Sequence, residues 1–330
     1  MKSRKVLILV LSTIMFLVAA CGPTKGATDS NNSTIGQEMP TLKLYTSFYP
    51  MYYFTKTIVG DTAEVENILP AGADSHDYEP NISIITKLLD ADALIYQGAG
   101  MEFWLDKVQA TVQAEKSDLR FIEAAEGIEL LVPGETHEEH DNEHDAHDHD
   151  AHDGHDHTYD PHVWLSIRDS MTMLENIHHE LVALNPEAQE AYDTNLKSAL
   201  DQLKTLDKKF KKELDHAGLK YFIINHEAFG YLARDYDLQQ VGISGVGTEQ
   251  DPNPALMKEI VQFAKEQEID VIYYDSSGSS KVSEALAREI GGRVLPLTTI
   301  HAPSDEDLAK GVDYIDFMED NLRNLLESTK

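Results

Sequence analysis

A single cysteine, Cys21, occurs in 330 residues, so no disulfide can form within the chain. Positive charge is also scarce, since 27 Lys and Arg against 58 Asp and Glu leave a formal charge of −31. Residues 135–160 hold eleven acids and no Lys or Arg, so this segment supplies −11 and the remainder −20. The body is therefore acidic in its own right. A field of that sign repels phosphate backbones, argues against nucleic acid as a partner and gathers cations near the surface. Two metallohydrolase signatures are missing as well. No His-Glu-x-x-His helix occurs, and the stretch from His147 to His152 departs from His-x-His-x-Asp-His at Ala151.

What the chain has instead is histidine in one place. His137, His140, His144, His147, His149, His152, His155 and His157 fall within HEEHDNEHDAHDHDAHDGHDH. Imidazole suits zinc, copper and nickel, and the interspersed carboxylates add donors, so the tract can gather divalent ions weakly at interchangeable positions. Ala146 and Ala151 are its only apolar residues. They cannot repay the entropy of ordering it, which predicts a loop rather than a preformed site.

Lys2, Arg4 and Lys5 precede an apolar run from Val6 to Ala20, the length of a signal-peptide core and short for a membrane span. The run ends Leu17-Val18-Ala19-Ala20-Cys21, which resembles the bacterial lipoprotein box, in which the cysteine is lipidated and becomes the mature first residue. Residues 1–20 are thus expected to be a lipoprotein signal peptide and 21–40 a lipidated cysteine with a flexible Ser/Thr/Asn/Gly tether. This predicts a protein exported and anchored by lipid to the outer face of the cell membrane.

From Thr41 onward, about 290 residues suffice for two lobes with separate cores. Strand patterns at Thr41–Ser47, Glu64–Leu69, Ala93–Tyr96 and Leu119–Ile122 alternate with helical ones at Tyr49–Val59, Ile82–Leu89 and Phe103–Ala114. Helices are expected at Ile167–Leu184 and Pro186–His216, the second capped by Asn185, with Leu196, Leu200, Leu203, Leu206 and Phe210 on one face. A second alternating set follows. Its strands are expected at Lys220–Ile224, Gln239–Val241, Val271–Tyr274 and Val294–Pro296, and its helices at Pro254–Glu268, Lys281–Ile290 and a terminal segment ending near Leu326. The fold expected is α/β, with two Rossmann-like lobes, each a mostly parallel sheet with flanking helices. An N-terminal lobe at 41–184 carries the His/Asp-rich loop 135–158, a linking helix occupies 185–216, and a C-terminal lobe covers 217–330.

Four positions outside the tract fall at strand ends or in the loops after them, where open α/β sheets bind ligands. They are His76 in Gly-Ala-Asp-Ser-His-Asp-Tyr-Glu-Pro, His162 in Asp-Pro-His-Val-Trp, His226 in Asn-His-Glu-Ala-Phe-Gly-Tyr, and Asp275 after Ile-Tyr-Tyr. Together these segments resemble the zinc-binding group of metal-type substrate-binding proteins of bacterial ABC importers, over roughly Leu42 to the C-terminus. The resemblance implies a metal site in the interlobe cleft, with His76, His162 and His226 as ligands and Asp275 or a water as the fourth. The family more often carries glutamate at that last position. Related manganese-binding proteins carry glutamate where His226 stands. Three imidazoles and a carboxylate also favour tetrahedral zinc, because manganese prefers more oxygen.

Each ligand histidine should present its second nitrogen to an acceptor, with Asp74, Asp77, Glu79, Asp160 and Glu227 as candidates. His178, His179, His216 and His301 lack motif context and are expected at the surface, and Trp164, Phe229 and Tyr231 are expected to pack around the cleft. The resemblance implies a monomeric, non-enzymatic zinc receptor that delivers Zn2+ to a membrane permease with its cytoplasmic ATPase. Competing expectations are the same scaffold serving manganese or another divalent metal, a zinc hydrolase, and a metal buffer or adhesin working through the tract.

Overall fold

A computed structural model of the chain describes residues 41–133, 158–246 and 253–328. The apolar N-terminal run, Cys21, the tether and all eight tract histidines lie outside the described residues. The described residues belong to one compact unit.

The first half alternates β1 (Leu42–Thr46), α1 (Tyr49–Val59), β2 (Ala63–Asn67), α2 (Ile82–Leu89), β3 (Ala93–Tyr96), α3 (Leu105–Glu115) and β4 (Arg120–Glu123). A 3-10 turn at Val163–Leu165 then leads into α4 (Ile167–Leu184). Helix boundaries follow local chemistry. The side chain of Asn81 accepts from the N–H groups of Ser83 and Ile84 at the start of α2, and Ser166 accepts from Asp169 at the start of α4. The long helix α5 (Gln189–Ala217) begins later than its sequence suggests, because Asn185 still bonds back to Leu181 of α4 and Pro186–Ala188 form a 3-10 turn. At 29 residues it is about 44 Å long and links the two sheets.

The second half repeats the plan with β5 (Tyr221–His226), α6 (Gly230–Asp235), β6 (Gln239–Ser244), α7 (Pro254–Glu266), β7 (Val271–Asp275), α8 (Lys281–Ile290), β8 (Arg293–Leu297), α9 (Asp305–Ala309) and α10 (Tyr314–Glu327). Strand order is β2-β1-β3-β4 in one sheet and β6-β5-β7-β8 in the other, and every pairing is parallel. In each sheet the order reverses beside the first strand, which makes the gaps between β1 and β3 and between β5 and β7 the switch points where ligands bind.

Successive strand residues face opposite sides of a sheet. Leu44 on β1, Phe222 and Ile224 on β5 and Tyr273 on β7 turn inward onto α1, α4, α5 and α10. Their neighbours Tyr45 and Ile223 turn outward into two smaller clusters, one beneath α2 and α3 and the other beneath α7 and α8. The inward sets of the two sheets form one continuous core, filled by Phe54, Leu174, Leu203, Phe210 and Tyr314. The expectation of separate cores is therefore corrected: helices shared by both sheets join them.

Candidate metal centre

His226 is the last residue of β5, a strand whose Phe222, Ile223 and Ile224 are buried on both faces. Asp275 ends the neighbouring β7, so the two side chains emerge together at the β5/β7 switch point. Asn225 locks the two ends, its Oδ1 accepting from the Asp275 N–H at 2.7 Å.

His162 comes from the other half of the chain. Asp160 folds its turn by accepting from the His162 backbone N–H at 2.9 Å, and the same Oδ1 lies 2.8 Å from the ring Nδ1. With Nδ1–H donated there, Nε2 keeps its lone pair for a metal. The turn is tied down further where Gln97 Nε2 donates to the Pro161 carbonyl at 2.6 Å. His76 uses a related device, its backbone N–H donating to Asp74 Oδ1 at 2.8 Å.

All three histidines are buried, at 6%, 1% and 7% exposure for His76, His162 and His226, so three polar rings share an interior site. One ligand atom from each lies within 4.8 Å of the others. The Nε2 atoms of His76 and His162 are 3.2 Å apart. Two nitrogens bound to zinc at 2.0–2.1 Å in a tetrahedron would be separated by about 3.3–3.4 Å. The rings cross at 59°, 75° and 79°, the arrangement of ligands converging on one point rather than stacking.

Asp275 is outside this group. Its Oδ2 lies 3.0 Å from His226 Nδ1 and accepts from Thr299 Oγ1 at 3.1 Å, while Oδ1 accepts from the Ser277 N–H at 3.1 Å. Burial by itself would raise this carboxyl, but the hydrogen bond and charge of His226 outweigh it and hold the group well below the usual range. For His226, burial works against the charged ring. The Asp275 contact and the Val246 carbonyl, 3.3 Å from Nε2, reverse that and raise its pKa.

Among the acids proposed as second-nitrogen partners, Asp160 serves His162. Glu79 instead pairs with Lys107 at the surface. Asp275, expected as a possible ligand, stands where a partner for His226 was sought. His179 and His216 are exposed and His178 is partly buried against Asp193. His301 is a correction, because it is only 5% exposed, with Nδ1 2.6 Å from Thr299 Oγ1 and Asp275 beyond. It lies four residues beyond the end of β8, close to Asp275, a placement set by which strand ends become neighbours.

Two four-stranded parallel α/β sheets with three buried histidines meeting between them define a two-lobed metal-binding protein. The chain belongs to the family described as zinc-uptake complex component A, periplasmic (ZnuA), whose profile matches residues 44–328. It is similar to the high-affinity zinc uptake system protein ZnuA of Bacillus subtilis, with 39% identity over 321 residues, 97% of this chain and 96% of that protein. It is also similar to the zinc-binding lipoprotein AdcA of Streptococcus pneumoniae, with 35% identity covering 99% of this chain but 61% of AdcA. The solved Zn(II)-bound ZnuA-like domain of Streptococcus pneumoniae AdcA superposes with a TM-score of 0.72 at 34% identity, covering 88% of this chain and 99% of that one.

Proposed function

We propose that this protein is a zinc receptor, which captures Zn2+ outside the cytoplasm and passes it to an ABC permease driven by a cytoplasmic ATPase, with no bond made or broken. The observation that carries the reading is the convergence of three buried imidazoles on one point, in a chain that belongs to a zinc-uptake family. His76, His162 and His226 bind the ion, and a water takes the fourth position while Asp275 orients His226. Three neutral nitrogens with one oxygen suit zinc better than manganese.

The eight tract histidines form an accessory site that collects ions loosely. Cys21 carries lipid and holds the monomeric receptor at the membrane, with residues 41–184 and 217–330 as the lobes and 185–216 as the link. Among the described residues no helix is long and apolar enough to cross a membrane.

Metal analysis tests the reading. Chelator-stripped protein reloaded from equal Zn2+ and Mn2+ should take up zinc tightly, and His226→Ala should lose that site. Preferential manganese loading, or an unchanged tight site in the variant, would overturn it.

A further inference from the structure

Tyr231 lies in the first turn of α6, the helix that follows β5 and His226, and its side chain is fully buried. Its hydroxyl donates to the Asp160 carbonyl at 2.7 Å and accepts from the Leu131 N–H at 3.1 Å. Asp160 closes the arrangement by donating its own N–H to the Leu131 carbonyl at 2.8 Å. One C-terminal side chain thus binds the two N-terminal segments that flank the His/Asp tract. The residue beside it acts on the same turn. A Cβ placed on Gly230 would stand 2.7 Å from Asp160 Oδ2, so the backbone there lies directly against the carboxylate. The other oxygen of that carboxylate is the one that fixes His162 through its backbone N–H and its Nδ1.

We infer that Tyr231 is a positioning residue of the metal site: with Gly230 it seats the Asp160 turn, and so sets His162 from one lobe against His226 from the other. The inference rests on the reading of His162 and His226 as ligands. Placement of this kind matters because a tetrahedral site tolerates little displacement of its donors, and partners that orient ligands typically contribute about 10- to 100-fold in metal affinity. The geometry also permits a clean test. The Arg234 guanidinium lies 5.2 Å over the Tyr231 ring, so Tyr231→Phe keeps the ring packed and removes only the oxygen.

The experiment compares Tyr231→Phe with Tyr273→Phe, whose hydroxyl donates to the Asn324 carbonyl of α10 and to no residue of the Asp160 turn. Zinc affinity is measured by chelator competition, the ligand field by Co2+ absorption, and metal-free melting in parallel. Tyr231→Phe should weaken zinc about 10-fold and shift the Co2+ bands, while Tyr273→Phe lowers melting and leaves both at wild-type values. Wild-type affinity and bands in Tyr231→Phe would overturn the inference. His162→Ala separates the two levels: if it keeps the tight site, the ligand assignment has failed, and if it alone loses the site, only the role of Tyr231 has. Should Tyr231→Phe not fold, Gly230→Ala is read in its place. A methyl against Asp160 should cause the same loss, and unchanged affinity would overturn the inference.

Discussion

Oδ2 of Asp275 lies 3.0 Å from Nδ1 of His226, at the adjoining ends of two parallel strands. The carboxylate therefore takes the Nδ1–H, the relation by which acidic partners raise ligand basicity, and Nε2 binds metal by giving up the proton it directs at the Val246 carbonyl 3.3 Å away. Asp275→Asn should keep one tight zinc equivalent and weaken it by about 10- to 100-fold, measured by competition with a chelator. Complete loss of the tight equivalent would instead make Asp275 a ligand.

Affinity should fall with pH from above 6.5, the ordinary histidine value, because the fold raises His226. Protons and zinc compete for Nε2, and the limiting slope is about one decade per pH unit for one displaced proton. Chelator competition at a series of pH values checks this, and a flat affinity between about pH 6 and 8 would contradict it.

In metal-free protein the signs differ. The raised His226 contributes stability that is fully present below 6.5 and lost as pH rises through its folded value. The lowered Asp275 contributes stability that is present above 3.8 and lost as pH falls through its folded value. The pair is therefore most stabilising between 3.8 and 6.5. The difference in melting temperature between metal-free wild type and Asp275→Asn should be largest in that window and shrink toward about pH 8.

Glu102 is outside the three-histidine group, yet it supports the His162 turn through Gln97, whose side chain donates to the Pro161 carbonyl. Its buried carboxylate accepts from the N–H groups of Gln97 at 2.9 Å and Gly98 at 3.0 Å, and burial raises its pKa. It closes a turn in which Gly98, Ala99 and Gly100 all have positive φ. Glu102→Ala would leave both donors without that acceptor, a loss of about 3 kcal/mol by denaturant unfolding of metal-free protein. A change below about 0.5 kcal/mol would show that the turn does not depend on the carboxylate.

Much of this architecture is legible in the sequence because its causes are local. Apolar spacing and terminal residues place α1, α2, α4 and α8 within the bounds expected of them, and the strands of the described residues sit on their alternating or apolar runs. Helices α6 and α9 have six and five residues and are too short to establish a period, and the turn at Val163–Leu165 is shorter still. The shared core escaped because each sheet's pattern says which face is buried, not what covers it. The motifs bring His76, His162 and His226 forward. The partnership of Asp275 with His226 and the burial of His301 depend on which strand ends become neighbours, a tertiary fact that no single segment carries.

The tight zinc site is proposed to belong to three histidines from the two lobes and not to the His/Asp tract. Zinc titration against a competing chelator, comparing the full chain with a chain lacking residues 137–157, tests it most directly. Both chains should hold one tight equivalent of the same affinity, with only weak additional equivalents lost on deletion. Loss of the tight equivalent with the tract would contradict it.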